Sequence, residues 1–125
     1  MKNDDFVLKL LKLLASEKTG ENNFEKCDLT GHGVIIRCRD AGVHYGKLVG
    51  YSGRKVELKN ARRMWEWWSA SENTLSGVAR HGINKFKSKI QGPLESIILL
   101  EACEIIPISG DAERSLINAE IYNEQ

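Results

Sequence analysis

Apolar residues recur with a helical period at the start of the chain and with a strand-like period further along. In FVLKLLKLLASEK, Val7, Leu10, Leu11 and Leu14 stand at i, i+3, i+4 and i+7. This spacing places four apolar side chains on one face of a helix, and the acidic residues just before it suit the positive end of the helix dipole. The pattern predicts an N-terminal amphipathic helix within residues 1–20.

Residues 33–107 are predicted to form an antiparallel sheet. The runs GVIIRCRD, GVHYGKLVGY, RKVELKN and RRMWEWW are rich in strand formers, and DAG and SGR between them are typical of hairpin turns. The strongest apolar run, LESIILLEACEIIPIS, predicts one long strand, or two strands joined at a bulge, through the middle of the sheet. In INKFKSKIQGP, lysines at alternate positions predict an exposed edge strand.

Two further helices are predicted in the second half of the chain. Leu75 and Val78 are spaced for a short helix that Gly82 ends, although Gly77 inside it lowers helix propensity by about 1 kcal/mol relative to alanine. Residues 109–122 are predicted to form a C-terminal helix capped by Ser109 or Asp111. The predicted fold of residues 1–125 is therefore a single α+β domain: a twisted antiparallel sheet with N-terminal, short middle and C-terminal helices.

Charge and cysteine content narrow the class of protein. With 18 basic and 17 acidic residues among 125, the chain lacks the basic excess of a protein that binds duplex nucleic acid. Cys27, Cys38 and Cys103 show no CxxC spacing, which argues against a disulfide framework and a zinc site and favours a reducing cytosol. The apolar N-terminal run is interrupted by lysines and too short to span a bilayer. We expect a cytoplasmic protein without a membrane partner.

No catalytic signature is recognisable in the chain. The sequence contains neither GxSxG nor a P-loop, and its glycines do not form a dinucleotide-binding fingerprint. His32, His44 and His81 are far apart and lack metal-ligand spacing. The expectation is a protein that is not an enzyme and uses no cofactor and no metal.

The stretch NARRMWEWW combines two arginines with all three tryptophans. Strand alternation would place Trp65 and Trp67 on one face, which we interpret as core. Arg62, Met64 and Trp68 would share the other face, where an aromatic platform beside a cation suits a nucleobase with a phosphate. The pattern indicates that the arginines form the wall of a pocket for an anionic ligand.

Arg114 is the second candidate for anion binding. It lies in the first turn of the predicted C-terminal helix, where a cation opposes the helix dipole. This placement is favourable when an anion binds there, because guanidinium groups and N-terminal amides both serve phosphate. The solvent-exposed arginine is the alternative interpretation.

Two resemblances to known families follow from these segments. VIIRCRDAGVHYGKLVGYSGRKVELKNARRMW resembles the strand–turn–strand pattern of Sm-like and SH3-like barrels, which bind RNA or peptides and often form rings. VIIRCRDAGVHYGKL, VELKNARRMWEWW, TLSGVARHGI and SIILLEACEIIPISGDAERSL, in this order, resemble a family of small proteins of bacteriophages and prophages. This family is similar to the Thoeris anti-defence sponge proteins, and the likeness covers roughly Val34 to Leu116.

The second resemblance implies a function and a site. Sponge proteins of this kind bind a cyclic ADP-ribose isomer in the infected host without cleaving it, and some also hold cyclic oligonucleotides and assemble as dimers and hexamers. Their pocket uses arginines, an aromatic ring and an amide side chain, contributed across a subunit interface. Asn118 stands where the family has another arginine, a departure that bears on affinity and on the identity of the ligand. The implied ligand-binding positions here are Arg62, Arg63, Asn84, Phe86, Gln91 and Arg114.

Three hypotheses about function therefore enter the structural comparison. The first is sequestration of a cyclic nucleotide immune signal. The second is an Sm-like or SH3-like module that binds RNA, for which the KFKSK patch is the sequence feature. The third is a structural or interaction protein, for which the amphipathic N-terminal helix is the feature.

Overall fold

The structure, a computed structural model, describes residues 27–122, so the predicted N-terminal helix lies outside the described residues. Within that range the chain forms six strands and two short helices. The strands are Gly33–Cys38 (β1), Val43–Ser52 (β2), Lys55–Glu66 (β3), Lys89–Ile90 (β4), Leu94–Leu99 (β5) and Ala102–Pro107 (β6). The helices are Leu75–His81 (α1) and Gly110–Ile117 (α2). Neither of these two helices in residues 27–122 is long and apolar enough to cross a membrane.

The prediction of an α+β fold is wrong, because the described chain is mainly a six-stranded antiparallel sheet. Its two helices have only seven and eight residues. The C-terminal helix predicted over residues 109–122 ends at Ile117, with Asn118 as its C-cap. Beyond this point, Ile121 forms a parallel bridge with Ile90, so pairing with the sheet replaces the last predicted helical turn.

The apolar run near the C-terminus lies at the edges of the sheet rather than through its middle. β5 pairs with β3, and β6 pairs with the far side of β1, which gives the order β5–β3–β2–β1–β6. In a flat sheet β5 and β6 would be about 19 Å apart, four strand spacings. Only Leu100 and Glu101 connect them, and this connection reaches about 11 Å. The sheet must therefore roll up until its two edges approach each other.

Backbone hydrogen bonds fix the corner where β5 turns into β6. The carbonyl of Glu101 accepts from the amide of Arg39, in the turn between β1 and β2, at 2.9 Å. The amide of Ala102 donates to the carbonyl of Arg54, in the turn between β2 and β3, also at 2.9 Å. The corner is thus joined to both hairpins, which keeps the rolled sheet closed at one end.

Two hydrophobic clusters occupy the two faces of this sheet. The first is contributed by all five strands of the roll, so it fills the interior; it includes Val34, Ile36, Leu48, Leu58 and Leu99. The second lies between the outer face and the helices; it includes Ile35, Tyr45, Met64, Val78 and Leu116. β1 contributes to both clusters because successive side chains alternate between faces. Most of the candidate site side chains described below lie around the second cluster.

A β-bulge in β3 sets the orientation of its second half. Tyr45 pairs with Arg62 and Lys47 pairs with Lys59, so two residues of β3 lie opposite one residue of β2. Asn60, in the bulge, has a positive φ of 52°, a conformation that asparagine adopts more readily than most residues. The extra residue shifts the alternation, and Arg62 consequently faces the second cluster.

The segment predicted as a lysine-rich edge strand is mostly a turn. Only Lys89 and Ile90 form a strand, and residues 85–87 belong to the turn before it. Asn84 stabilises this turn because its side-chain oxygen accepts from the amides of Phe86 and Lys87 at 3.0 and 3.3 Å. The local asparagine bonds compete with strand pairing, which explains why the alternating lysines do not extend the sheet.

His44, on the inner face of β2, is completely buried. Its Nε2 lies 2.8 Å from the carbonyl of Ala41, so Nε2 carries the proton, while the buried Nδ1 has no partner among the described residues. Burial lowers the pKa of His44, and the positive charge of Arg63 lowers it further. The folded protein therefore holds this histidine neutral.

This histidine makes the protein less stable in acid. Because its pKa is lower in the folded than in the unfolded chain, the unfolded chain binds more protons below about pH 6.5, and the free energy of unfolding falls as the pH decreases. Urea denaturation at pH 8 and pH 5 should show this fall. In His44→Gln, which keeps a donor for Ala41, the fall should be smaller; an equal fall in both proteins would contradict the assignment.

Candidate functional site

Three pockets lie around the sheet, and five of the six predicted ligand-binding residues line them. Phe86 and Arg114 line the same pocket, here called the Phe86 pocket. Arg62 lines a neighbouring one, the Arg62 pocket, and Ala119 belongs to both. Arg63 and Gln91 line a third, the Arg63 pocket. The single pocket implied by the sequence is therefore divided within one copy of the chain.

The Phe86 pocket has a volume of about 480 Å³ and lies between the turn at residues 84–88 and the second half of α2. Phe86 is 89% exposed, an unusual position for a phenyl ring, and the ammonium of Lys85 lies 5.2 Å from its centroid. The remaining lining residues are Ile83, Arg114, Ser115, Asn118, Ala119 and Glu120. The pocket thus combines an open aromatic face with two cations and an amide.

Hydrogen bonds hold the turn that carries Phe86 against Trp68. The amide of Asn84 donates to the carbonyl of Trp68 at 2.7 Å. The hydroxyl of Ser88 accepts from the amide of Trp68 at 3.0 Å and lies 3.2 Å from its carbonyl. The phenyl ring is therefore presented from a fixed backbone, and a ligand that stacks on it need not order the turn.

Helix α2 forms the opposite wall. The hydroxyl of Ser109 caps it by accepting from the amide of Ala112, as the sequence predicts. Ser115 joins the helix to the segment before the turn, since its hydroxyl accepts from the amide of Ile83 at 3.2 Å. Arg114 projects from the same helix, is 70% exposed at its side chain and forms an ion pair with Asp111. An exposed ion pair of this kind is easily exchanged for a ligand anion.

Arg62 occupies a different environment, being only 4% exposed. Its Nε donates to the carbonyl of Gln91 at 2.8 Å, and one terminal nitrogen donates to the carbonyls of Leu116 and Ile117 at 2.7 and 3.3 Å. The other terminal nitrogen is buried and has no partner among the described residues. Burial lowers the pKa of this arginine, yet a guanidinium remains charged at neutral pH.

The charges around the Arg62 pocket do not balance. Glu113 accepts from Lys47 at 3.0 Å and from the hydroxyl of Tyr45 at 3.1 Å, so one carboxylate and one ammonium neutralise each other. Burial raises the pKa of Tyr45, and the charge of Glu113 raises it further, so this hydroxyl stays protonated. Arg62 forms no ion pair with any residue in 27–122. Among residues 27–122, one positive charge beside the pocket is therefore left without a counterion.

The Arg63 pocket is the smallest of the three, with a volume of about 330 Å³. Arg63 and Arg62 lie on opposite faces of β3, because they pair with His44 and Tyr45. Gln91 also lines this pocket, and its backbone amide donates to the carbonyl of Arg63 at 2.9 Å. Asn84, the other predicted amide, lines none of these three pockets and instead stabilises the turn that carries Phe86.

The predicted faces of the tryptophan stretch need correction. Trp65 was expected in the core with Trp67, but it is 63% exposed, whereas Trp67 is half-buried against the second cluster. The face expected as an open platform is the buried one, since Met64 is 3% and Arg62 4% exposed. The reason is that the helices cover this face of β3, a long-range contact that alternation does not encode.

Other residues of these pockets were not predicted from the sequence. Lys85 directly precedes Phe86, but the lysines at alternate positions in this segment predict an exposed edge strand and not a binding site. Lys47 and Asn60 also line the Arg62 pocket; Lys47 is far in sequence from every predicted position, whereas Asn60 lies two residues before Arg62. Among residues 27–122 no group of three or more histidine, cysteine or acidic side chains is arranged to hold a metal ion.

Comparison with known proteins identifies the chain at the level of a family. A family model described as a domain of unknown function, DUF6948, matches residues 31–116. The matched range begins just before β1 and ends within α2, and it therefore contains the rolled sheet, α1 and the turn that carries Phe86. No curated protein and no solved structure matches the chain.

Proposed function

We propose that this chain, which belongs to the DUF6948 family of domains of unknown function, is a non-catalytic protein that binds and sequesters a nucleotide ligand. The observation that carries the proposal is the Phe86 pocket, in which an open phenyl ring lies beside two cationic side chains. A base can stack on Phe86, while Lys85 and Arg114 serve phosphate and Asn118 offers an amide to the base edge.

The specific ligand that we propose is a cyclic ADP-ribose isomer, a cyclic nucleotide immune signal met in the cytoplasm of an infected bacterium. The resemblance to the Thoeris anti-defence sponge proteins supports this choice, and so does the size of the pocket, about 480 Å³. Such a ligand carries an adenine and two phosphate charges. Capture of the signal, without its cleavage, would prevent it from reaching its effector.

A second copy of the chain is part of this proposal. Lys85 and Arg114 bring two positive charges to the pocket, but Glu120 lines it as well and Asp111 already pairs with Arg114. One copy therefore offers less positive charge than two phosphates require. In addition, Phe86 is 89% exposed, so much of its ring is open to a group from a partner. A homodimer or a hexamer would supply both.

Isothermal titration calorimetry with cyclic ADP-ribose and with AMP tests the proposal. Phe86→Ala should weaken binding by about 10- to 100-fold, because stacking of a base contributes about 1–3 kcal/mol. Arg114→Gln should weaken it by a similar factor, since a charge-assisted hydrogen bond contributes about 1.5–3 kcal/mol. The stoichiometry of the wild-type titration, combined with light scattering, reports whether two copies share one ligand.

Two matched variants serve as controls. Trp65→Ala removes another exposed aromatic ring that lies outside the Phe86 pocket. Arg39→Gln removes another exposed arginine, 68% exposed at its side chain and ion-paired with Glu101. Both should bind like the wild type. The proposal would be contradicted if neither cyclic ADP-ribose nor AMP gave a heat of binding. Cleavage of cyclic ADP-ribose during the titration would contradict its non-catalytic part.

Binding of single-stranded RNA is the second candidate, and one observation favours it. Three lysine ammonium groups each lie 5.2 Å from an aromatic centroid on neighbouring segments: Lys85 and Phe86, Lys87 and Trp68, Lys89 and Tyr122. Alternating rings and cations are what single strands bind. Titration with oligouridine distinguishes the two functions, since RNA binding should weaken steeply with salt and should depend on Trp68 as much as on Phe86.

A further inference from the structure

We propose that the Arg62 pocket is a second binding site, for a small organic monocarboxylate with an apolar tail. This site does not depend on nucleotide binding in the Phe86 pocket. Its volume is about 430 Å³, within the range of small-molecule sites. The lining residues are Tyr45, Lys47, Asn60, Arg62, Pro93, Ile117, Ala119 and Ile121.

The buried guanidinium of Arg62 is the first observation that points to a ligand. Three of its hydrogen bonds go to backbone carbonyls, which orient the plane of the group between β3 and the end of α2. The second terminal nitrogen keeps two N–H donors without a partner in residues 27–122, at a side chain that is 4% exposed. Buried donors are almost always satisfied in proteins, so a carboxylate oxygen would become the partner of this nitrogen once the side chains that cover it move aside.

The net positive charge that residues 27–122 place around the Arg62 pocket favours a ligand with a single negative charge. Lys47 and Glu113 neutralise each other at 3.0 Å, and Tyr45 is held in its neutral form. The carbonyls at the C-terminal end of α2 offset part of the charge of Arg62, but they carry no full negative charge. A carboxylate would therefore balance the pocket, whereas the second charge of a phosphate would be desolvated without a counterion.

The exposed apolar residues of the Arg62 pocket favour a ligand with a hydrocarbon tail. Ile117 and Ile121 are 52% and 60% exposed although both are large hydrophobic residues, and Pro93 and Ala119 continue the same surface. A hydrocarbon chain laid along these residues would remove their exposed surface from water. Lys47 and Asn60 lie among the lining residues on the strands, so the polar and apolar parts of the pocket match the two ends of an amphiphile.

A titration of the full chain with octanoate tests this site, and two-dimensional ¹H–¹⁵N NMR spectra monitor binding. The amides of Ile117, Ala119 and Ile121 and the Nε–H of Arg62 should shift in a saturable manner. Octanol, which has the same tail, and acetate, which has the same head, should each bind at least about tenfold more weakly. Equal affinity for octanoate and octanol, or shifts confined to residues outside this pocket, would overturn the proposal.

Substitutions of exposed residues test the location of the site without disturbing the fold. Ile121→Asp places a negative charge on an exposed side chain and should weaken octanoate binding at least about tenfold. Ile98→Asp is the matched control, because Ile98 is 47% exposed on β5 outside the pocket. Phe86→Ala and Arg114→Gln should also leave octanoate binding unchanged, which separates this site from the nucleotide site. An Ile121→Asp protein that binds octanoate like the wild type would overturn the assignment.

Discussion

Replacing Arg62 with methionine should lower the free energy of unfolding by about 3 kcal/mol, among the largest effects of a single substitution in this chain. The side chain donates to three carbonyls, those of Gln91, Leu116 and Ile117. Methionine fills a similar volume but leaves these acceptors without their donor in a buried place, and each bond to a charged group contributes about 1.5–3 kcal/mol. Relief from burying the guanidinium offsets part of this loss.

The neighbouring arginine provides the control for that result. Arg63 is exposed and lies on the opposite face of β3, and Arg63→Met should change the free energy of unfolding by less than about 0.5 kcal/mol. Urea denaturation followed by tryptophan fluorescence measures both variants. Should Arg62→Met unfold with the same midpoint as Arg63→Met, Arg62 would not join β3 to α2 in the way described.

Replacing Gly77 with alanine should destabilise the protein by about 2–3 kcal/mol, opposite in sign to the effect on helix propensity. Propensity alone predicts a gain of about 1 kcal/mol. A Cβ at this position, however, would lie 2.0 Å from the backbone carbonyl oxygen of Glu72 and 2.8 Å from its Cβ. The segment before α1 folds back over the helix here, and backbone cannot move aside as a flexible side chain could.

Ser76→Ala tests propensity at the adjacent position without the close approach. Ser76 is exposed in the same helix, and alanine there should raise stability by a few tenths of a kcal/mol. Thermal and urea denaturation of both variants should give shifts of opposite sign. A stabilised Gly77→Ala protein would mean that the segment at Glu72 lies further from the helix than the structure places it.

Local patterns predicted the local parts of this fold. The hairpin strands, the Ser109 cap and the stop at Gly82 are confirmed, because each depends on a few neighbouring residues. The α+β class was wrong, because the described chain is mainly sheet and its two helices have only seven and eight residues. The roll was not predicted either, since it depends on pairing of β6 with β1, strands that are far apart in sequence. Gly77 illustrates the same limit, because its requirement arises from Glu72 and not from helix propensity.

The candidate site was predictable to a similar extent. Phe86 and Arg114 line one pocket although they are far apart in sequence, and only the family resemblance grouped them. Arg62 lies in another pocket because the bulge at Asn60 turns it toward the second cluster, where the end of α2 covers it. No periodicity in the sequence predicts a bulge or a buried guanidinium, so these features could be recognised only in the tertiary structure.

The pairing of β6 with β1 also constrains how the chain can fold during synthesis. The ribosome releases β1, β2 and β3 long before β6, so the outer edge of β1 has no partner until Ala102–Pro107 emerges. During that interval the sequence GVIIRC presents unpaired backbone groups beside strongly apolar side chains. Such an edge is a template for pairing between nascent chains. Aggregation of nascent chains is therefore expected to increase when slow translation leaves that edge uncovered for longer.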